Sequence, residues 1–202
     1  MTAVPPTATP SLRGRSSRQV ATAALLFAAG LWLVGDGLYI HAKAWLAQML
    51  LERAFAAEVA SGGVVKPWSW ADTWPVARIE VPRLRQHAIV LAGGSGQALA
   101  FGPGHVARTP EAGELGTAVY AAHRDTHFAF LRDVVLGDEI VVYRRDGATL
   151  RFRVTNTDVV KWDASGIDAG APGHHLALAT CWPFDSIVSG PWRYVIHADL
   201  AS

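Results

Sequence analysis

The chain holds a single cysteine, Cys181, which ends the apolar run Leu176-Ala177-Leu178-Ala179-Thr180 and is followed by Trp182-Pro183-Phe184. Proline cannot continue a central strand, so the thiol belongs at the rim of a sheet. A lone cysteine is either a small buried filler or a reactive group, and a rim position weakens the first reading. His123 closes a second apolar run, Tyr120-Ala121-Ala122, and opens the polar turn Arg124-Asp125. Taken alone it reads equally as a structural histidine or as one facing a groove. Arg193 opens a third run, Tyr194-Val195-Ile196, twelve residues after Cys181. If the strands ending at Cys181 and starting at Arg193 pair antiparallel, the guanidinium stands near the thiol; otherwise it is a surface arginine. Acyl transfer by cysteine needs a thiolate, a proton donor for the leaving amine and a donor to the tetrahedral oxyanion. Cys181, His123 and Arg193 supply one each.

The elements that would position them read as all-β. Short apolar or alternating runs separated by Gly, Pro and Asp predict strands at Val76–Val81, Ala88–Leu91, Thr117–Ala122, Glu139–Arg144, Thr149–Asn156, Asp158–Trp162, Leu176–Cys181 and Arg193–Ala198. Arg145-Asp146-Gly147-Ala148 is a hairpin turn. Leu150, Phe152 and Val154 alternate with Arg151, Arg153 and Thr155, giving one buried and one wet face. Residues 97–101 and Thr126–Asp133 are candidate short helices. Many short strands with few helices point to a closed barrel or a sandwich.

The N-terminal part differs. Residues 1–19, rich in Pro, Thr, Ser and Arg, read as a disordered cytoplasmic tail. Residues 20–40 are apolar apart from Asp36, are preceded by Arg13, Arg15 and Arg18, and reach the length of a membrane span. The arginine flank places the N-terminus in the cytoplasm and the rest of the chain outside. A cleaved signal peptide is the competing reading, with Ala42-Lys43-Ala44 as its small-x-small site; the length of the stretch, Asp36 and His41 favour an uncleaved anchor. Residues 41–60 predict a stalk helix leaving the membrane, ended by Ser61-Gly62-Gly63. Trp68, Trp70 and Trp74 follow; they form either a carbohydrate platform or, as preferred here, rings packed on the domain they lead into. Of 202 residues half are hydrophobic, and the net charge is +1 with no basic tract. Nucleic-acid binding, which needs a clustered basic face, is therefore not expected.

At His123, Cys181 and Arg193 the sequence resembles the sortases. The family pattern is a His closing one strand, a Thr-x-Thr-Cys-like strand end and an Arg on the next strand, here Ala122-His123-Arg124-Asp125, Leu178-Ala179-Thr180-Cys181 and Arg193-Tyr194. The run from His123 to Phe128, with Ala77–Pro82 and Gly102–Val106 upstream, is similar to class D and related Gram-negative sortases. The resemblance covers residues 74–200. Ala122 stands where Gly often precedes the His, Ala179 replaces a more usual polar residue, and Trp182 follows the Cys directly.

The resemblance implies an eight-stranded sortase β-barrel at residues 74–202, behind an anchor and linker at 20–73. It implies a cysteine transpeptidase, tethered by a single pass with its catalytic domain in the periplasm. Cys181 would attack the Thr carbonyl of a Leu-Pro-x-Thr-Gly-like C-terminal sorting signal. His123 would act as acid and then base, and Arg193 would hold the oxyanion. Thr180, Ala179 and Trp182 would line the substrate cleft. Asp125 would either cap the turn beginning at Thr126 or brace the loop carrying His123. The implied partners are a protein bearing the signal and an amine acceptor of wall, lipid or other envelope origin. No cofactor is implied.

Other chemistries fit less well. Papain-like hydrolases place the Cys before the His and at a helix start, and an L,D-transpeptidase would carry Ser-His-Gly-Cys. His123 and His127 have metal-ligand spacing, and His174-His175 lies near Cys181, but the Glu of a zincin helix is missing and the context is a turn. No carboxylate cluster indicates calcium. An exported cysteine hydrolase and a non-catalytic, membrane-tethered β-barrel that only binds peptide both remain open.

Overall fold

The computed structural model describes residues 17–201; of the tail expected at residues 1–19, residues 1–16 lie outside them and residues 17–19 are helical, opening α1. The first helix, α1 (Ser17–Ser61), runs through the apolar segment and beyond it. The described residues fall into two compact units, one ending at Lys43 and the other starting at Ala44. In the first, the large apolar side chains stand open: Phe27 is 73% and Trp32 75% exposed. This helix is long and apolar enough to cross a membrane.

The second unit is an eight-stranded closed barrel. Its strands are β1 (Pro75–Val81), β2 (Gln86–Ala92), β3 (Gly104–His105), β4 (Gly116–Ala121), β5 (Glu139–Arg144), β6 (Thr149–Lys161), β7 (His174–Cys181) and β8 (Trp192–Leu200). The order around the barrel is β1-β2-β3-β4-β7-β8-β6-β5, closed by antiparallel pairing of β5 with β1. Each strand has two neighbours, although the short β3 covers only two residues of β2 and two of β4. The interior is filled by Ile79, Val90, Phe128, Ile140, Phe152, Leu176, Leu178 and Ile196, all buried. Alternation sends the other side chains of each strand outward.

Five expected strands, those corresponding to β1, β2, β4, β7 and β8, recur with bounds shifted by a residue or two, and β5 matches at both ends. The two expected at Thr149–Asn156 and Asp158–Trp162 are one strand, β6. Between Val154 and Asn156 its register against β8 shifts by one residue, so the polar stretch is a β-bulge and not a turn. Conversely β3 was not expected. It pairs parallel with β2 and antiparallel with β4 over two residues. A Cβ at Gly104 would stand 2.2 Å from the Gly93 carbonyl oxygen, so glycine is what lets these backbones meet. The hairpin turn is present, with Gly147 at φ 86°. Helix α2 (Gly96–Phe101) is capped by the Ser95 hydroxyl, which accepts from the Ala98 amide. The second expected helix shrinks to a 3₁₀ turn at Ala129–Asp133, whose N-cap is Phe128 without a side-chain capping bond. Asp125 is exposed and does not cap it.

The segment read as a stalk belongs to the compact unit. From Ala44 onward α1 lays Leu51 and Phe55 against Ile89, Leu91 and Ala98, forming a second apolar cluster outside the barrel. Gln48 adds a hydrogen bond from Nε2 to the Phe101 carbonyl (2.8 Å). The compact unit therefore begins at Ala44, about thirty residues before residue 74, while the barrel itself starts at Pro75. Of the tryptophans after the helix, Trp68 meets Phe101 edge-on at 4.9 Å, whereas Trp70 is 80% exposed.

Candidate active site

Cys181 is the last residue of β7, and in the antiparallel β7–β8 ladder its partner across the strands is Arg193. Strand β7 also pairs in parallel with β4, with Ala121 beside Ala179. The Ala122 amide continues that ladder by donating to the Ala179 carbonyl (3.2 Å). Two residues on from that pair, His123 on one side and Cys181 on the other extend the same register. Side-chain parity agrees: Ala118, Tyr120, Leu176, Leu178 and Ile196 face the barrel interior. Val119, Ala177 and Val195 lie on the outer face, as do Cys181 and Arg193 by the same count.

These residues line a groove of about 460 Å³ on the outside of the barrel. Ala121, Ala122, His123, Ala179, Thr180, Cys181, Arg193 and Val195 form its floor. Leu99 of α2 forms one wall; Trp162, Ser165 and Ile167, from the connection between β6 and β7, form another. That connection is held close to the sheet at the far end of β4. Gly116 has φ 112°, and a Cβ there would lie 2.2 Å from the Ala169 carbonyl oxygen; the Thr117 amide donates to that same oxygen (3.1 Å).

Among the three chemical groups, His123 is exposed, and Cys181 and Arg193 are half-buried, so none is closed off from solvent. One guanidinium nitrogen of Arg193 donates to the carbonyls of Gly190 (2.9 Å) and Trp192 (2.8 Å), which fixes the plane of the group and leaves its other nitrogens for a ligand. His127, half-buried behind His123, has its pKa lowered by burial and by repulsion from His123, against the opposing effect of a hydrogen bond to the Ala100 carbonyl. It is therefore a neutral neighbour near pH 7, tying the turn that carries His123 to α2.

A sortase-domain family model matches residues 79–201. The chain belongs to the sortase family. This sortase is 28% identical over 120 residues to Sortase D of Bacillus subtilis (strain 168), a match spanning 59% of the chain and 60% of that relative's length. Among solved structures, Sortase A from Corynebacterium diphtheriae superposes with a TM-score of 0.60 at 23% identity, over 77% of this chain and 84% of that one. The Clostridium perfringens Sortase D5 transpeptidase superposes at 0.59 and 18% identity, over 77% and 96%. At such identities the superpositions establish the barrel fold.

Not every residue expected in the cleft serves it in the same way. Ala179 lines the sortase groove, and so does Thr180, but Thr180 is 2% exposed and its hydroxyl donates to the Ala122 carbonyl (2.8 Å). Its polar group is thus spent on the strand that carries His123. Trp182 is not in the groove. It stacks on Tyr194 (5.7 Å) and meets Phe184 edge-on (5.6 Å), with Arg132 over the Phe184 ring at 5.1 Å. The groove walls Leu99, Trp162, Ser165 and Ile167 were not anticipated. Leu99 and Trp162 carried a signal, as part of a candidate helix and as the end of an expected strand; Ser165 and Ile167 lie in a connection whose path depends on tertiary contacts.

Proposed function

We propose that this sortase is a membrane-anchored cysteine transpeptidase acting on a C-terminal sorting signal of the Leu-Pro-x-Thr-Gly type. The observation that carries the reading is the pairing of Cys181 with Arg193 across β7 and β8, with His123 continuing the β4 register on the other side. The Cys181 thiolate attacks the carbonyl carbon of the Thr residue, and the carbonyl electrons move to oxygen. Arg193 donates hydrogen bonds to that oxyanion. As the tetrahedral species collapses, the Thr–Gly bond breaks and imidazolium His123 gives its proton to the departing amine. A thioester remains on Cys181. Neutral His123 then takes a proton from an incoming amine, which attacks the thioester and expels the thiolate.

The apolar groove walls suit the Leu and Pro side chains of such a signal, and the half-exposed thiol suits an extended chain crossing the strand ends. The apolar part of α1 spans the membrane, with Arg13, Arg15 and Arg18 on the cytoplasmic side and the barrel outside. The acceptor is an envelope amine. Cys181→Ala in the full chain tests the reading: cleavage of a signal peptide should vanish while the thermal unfolding midpoint is retained. Cleavage persisting in that variant would overturn it.

A further inference from the structure

Arg124 follows His123 in the chain, and its side chain turns away from the groove into the protein, leaving the residue 8% exposed. Among the described residues it has no carboxylate partner. One nitrogen donates to the carbonyls of Ser186 and Val188 (2.9 Å to the latter), and another is buried without a partner. A buried, unpaired guanidinium is costly, so the two loop carbonyls are what hold it. They belong to the connection from Cys181 to Arg193.

That connection has little else to order its tip. Ile187 is 100% and Val188 68% exposed. Ser186 closes a local turn, its hydroxyl donating to the Val188 carbonyl (3.0 Å) and accepting from the Val188 amide (3.2 Å). This turn presents the Ser186 and Val188 carbonyls together to Arg124. Two residues further on, the Gly190 carbonyl accepts from Arg193. Contacts therefore run from the turn bearing His123, through Arg124, into the loop, and out through Gly190 to Arg193.

We propose that Arg124 is a positioning residue: it clamps the β7–β8 loop to the His123 turn and so holds Arg193 in the orientation the oxyanion needs. This rests on the catalytic reading above. Because it acts through Arg193, its loss affects the chemical step more than peptide affinity. Lysine restores charge but lacks the planar fork that meets two carbonyls at fixed angles, so it is only a partial substitute.

The test uses the full chain in detergent as parent, Arg124→Ala, Arg124→Lys, Arg193→Ala and the Arg124→Ala/Arg193→Ala double variant. Amide hydrogen exchange over residues 182–192, which needs no substrate, should speed up in Arg124→Ala and to a lesser degree in Arg124→Lys. With Leu-Pro-x-Thr-Gly peptides and hydroxylamine as acceptor, Arg124→Ala should lower kcat about 10–100-fold, the scale expected when a catalytic group shifts by about 1 Å, with KM changed far less. In the Arg193→Ala background the same substitution should cost no more than about twofold, the scatter of independent sites. Unchanged loop exchange in both Arg124 variants, or an equal loss of kcat in the two backgrounds, would overturn the proposal. Should Arg124→Ala fail to fold, Arg124→Lys carries both readouts. Turnover surviving in Cys181→Ala would instead sink the catalytic reading and leave loop exchange to decide the clamp.

Discussion

Replacing Thr180 by valine keeps the shape of a side chain that is 2% exposed and removes only its hydroxyl. That hydroxyl donates to the Ala122 carbonyl at 2.8 Å. Ala122 is itself buried and is the residue before His123. The hydrogen bond its amide donates to the Ala179 carbonyl survives the change, so the strand stays paired but its carbonyl loses a partner in a buried position. A lost hydrogen bond of this kind costs about 0.5–1.5 kcal/mol net, rising to about 1–3 kcal/mol when a buried acceptor is stranded. About 1–2 kcal/mol is the expectation here, because valine adds a methyl group to an apolar interior. For a domain of this size each kcal/mol lowers Tm by about 2–4 °C, so Thr180→Val should melt about 2–8 °C below the parent. Near-UV circular dichroism of the full chain in detergent would follow this. Thr180→Ser, which keeps the donor, should retain more peptide cleavage than Thr180→Val at a temperature where both are folded. If Thr180→Val melts with the parent and cleaves at the parent's rate, Thr180 does not pin the strand that positions His123.

Other perturbations follow from the same structure. His123→Ala and Arg193→Ala should each lower acyl-transfer kcat, the arginine change by about 10²–10³, measured with a cleavable signal peptide. Leu51→Ala removes a fully buried side chain where α1 meets β2 and α2, and should destabilise the domain by about 2–5 kcal/mol in thermal or urea unfolding. His175 is raised above its usual value by its contact with the Pro172 carbonyl and by Asp199. Its contribution is complete below the unfolded value near 6.5 and is lost as pH rises through the folded value, so His175→Asn should flatten stability above pH 6.5. His127 is lowered, so its contribution is present above 6.5 and fades as pH falls through its folded value; His127→Asn should flatten the acid side. Asp138 is held low by Arg83, and the loss of that pair on acidification to below its ordinary value of 3.8 should disappear in Asp138→Asn.

The barrel was legible because alternation survives in most strands: Leu150, Phe152 and Val154 face inward as their spacing requires. The same rule failed at Asn156-Thr157-Asp158, where polar residues that resemble a turn instead follow a bulge, since nothing local distinguishes an extra residue in a strand from a break between two. Strand β3 escaped because two residues carry no period; what makes it a strand is the approach of Gly104 to Gly93. The strand-end positions of Cys181 and His123 could be read from punctuation, since Pro183 and the polar turn after Ala122 fix where those strands stop, but local sequence alone left His123 and Arg193 open to structural readings, and the resemblance to a family was needed to decide for the three as a group. The destination of each neighbouring side chain could not be read. Trp182 joins an aromatic cluster with Phe184 and Tyr194, residues two and twelve positions away, and the Thr180 hydroxyl is committed to a carbonyl 58 residues earlier. Likewise α1 looked like a free stalk because the surface that buries Leu51 and Phe55 is built from Ile89, Leu91 and Ala98, far along the chain.

The most direct test of the central claim is the intact mass of the full chain after incubation with a library of Leu-Pro-x-Thr-x peptides, with and without hydroxylamine. The account predicts a thioester adduct that maps to Cys181, is released by hydroxylamine and is missing from Cys181→Ala. No adduct with any peptide, together with alkylation of Cys181 no faster than that of a free thiol, would contradict it and indicate a barrel that binds peptide without cleaving it.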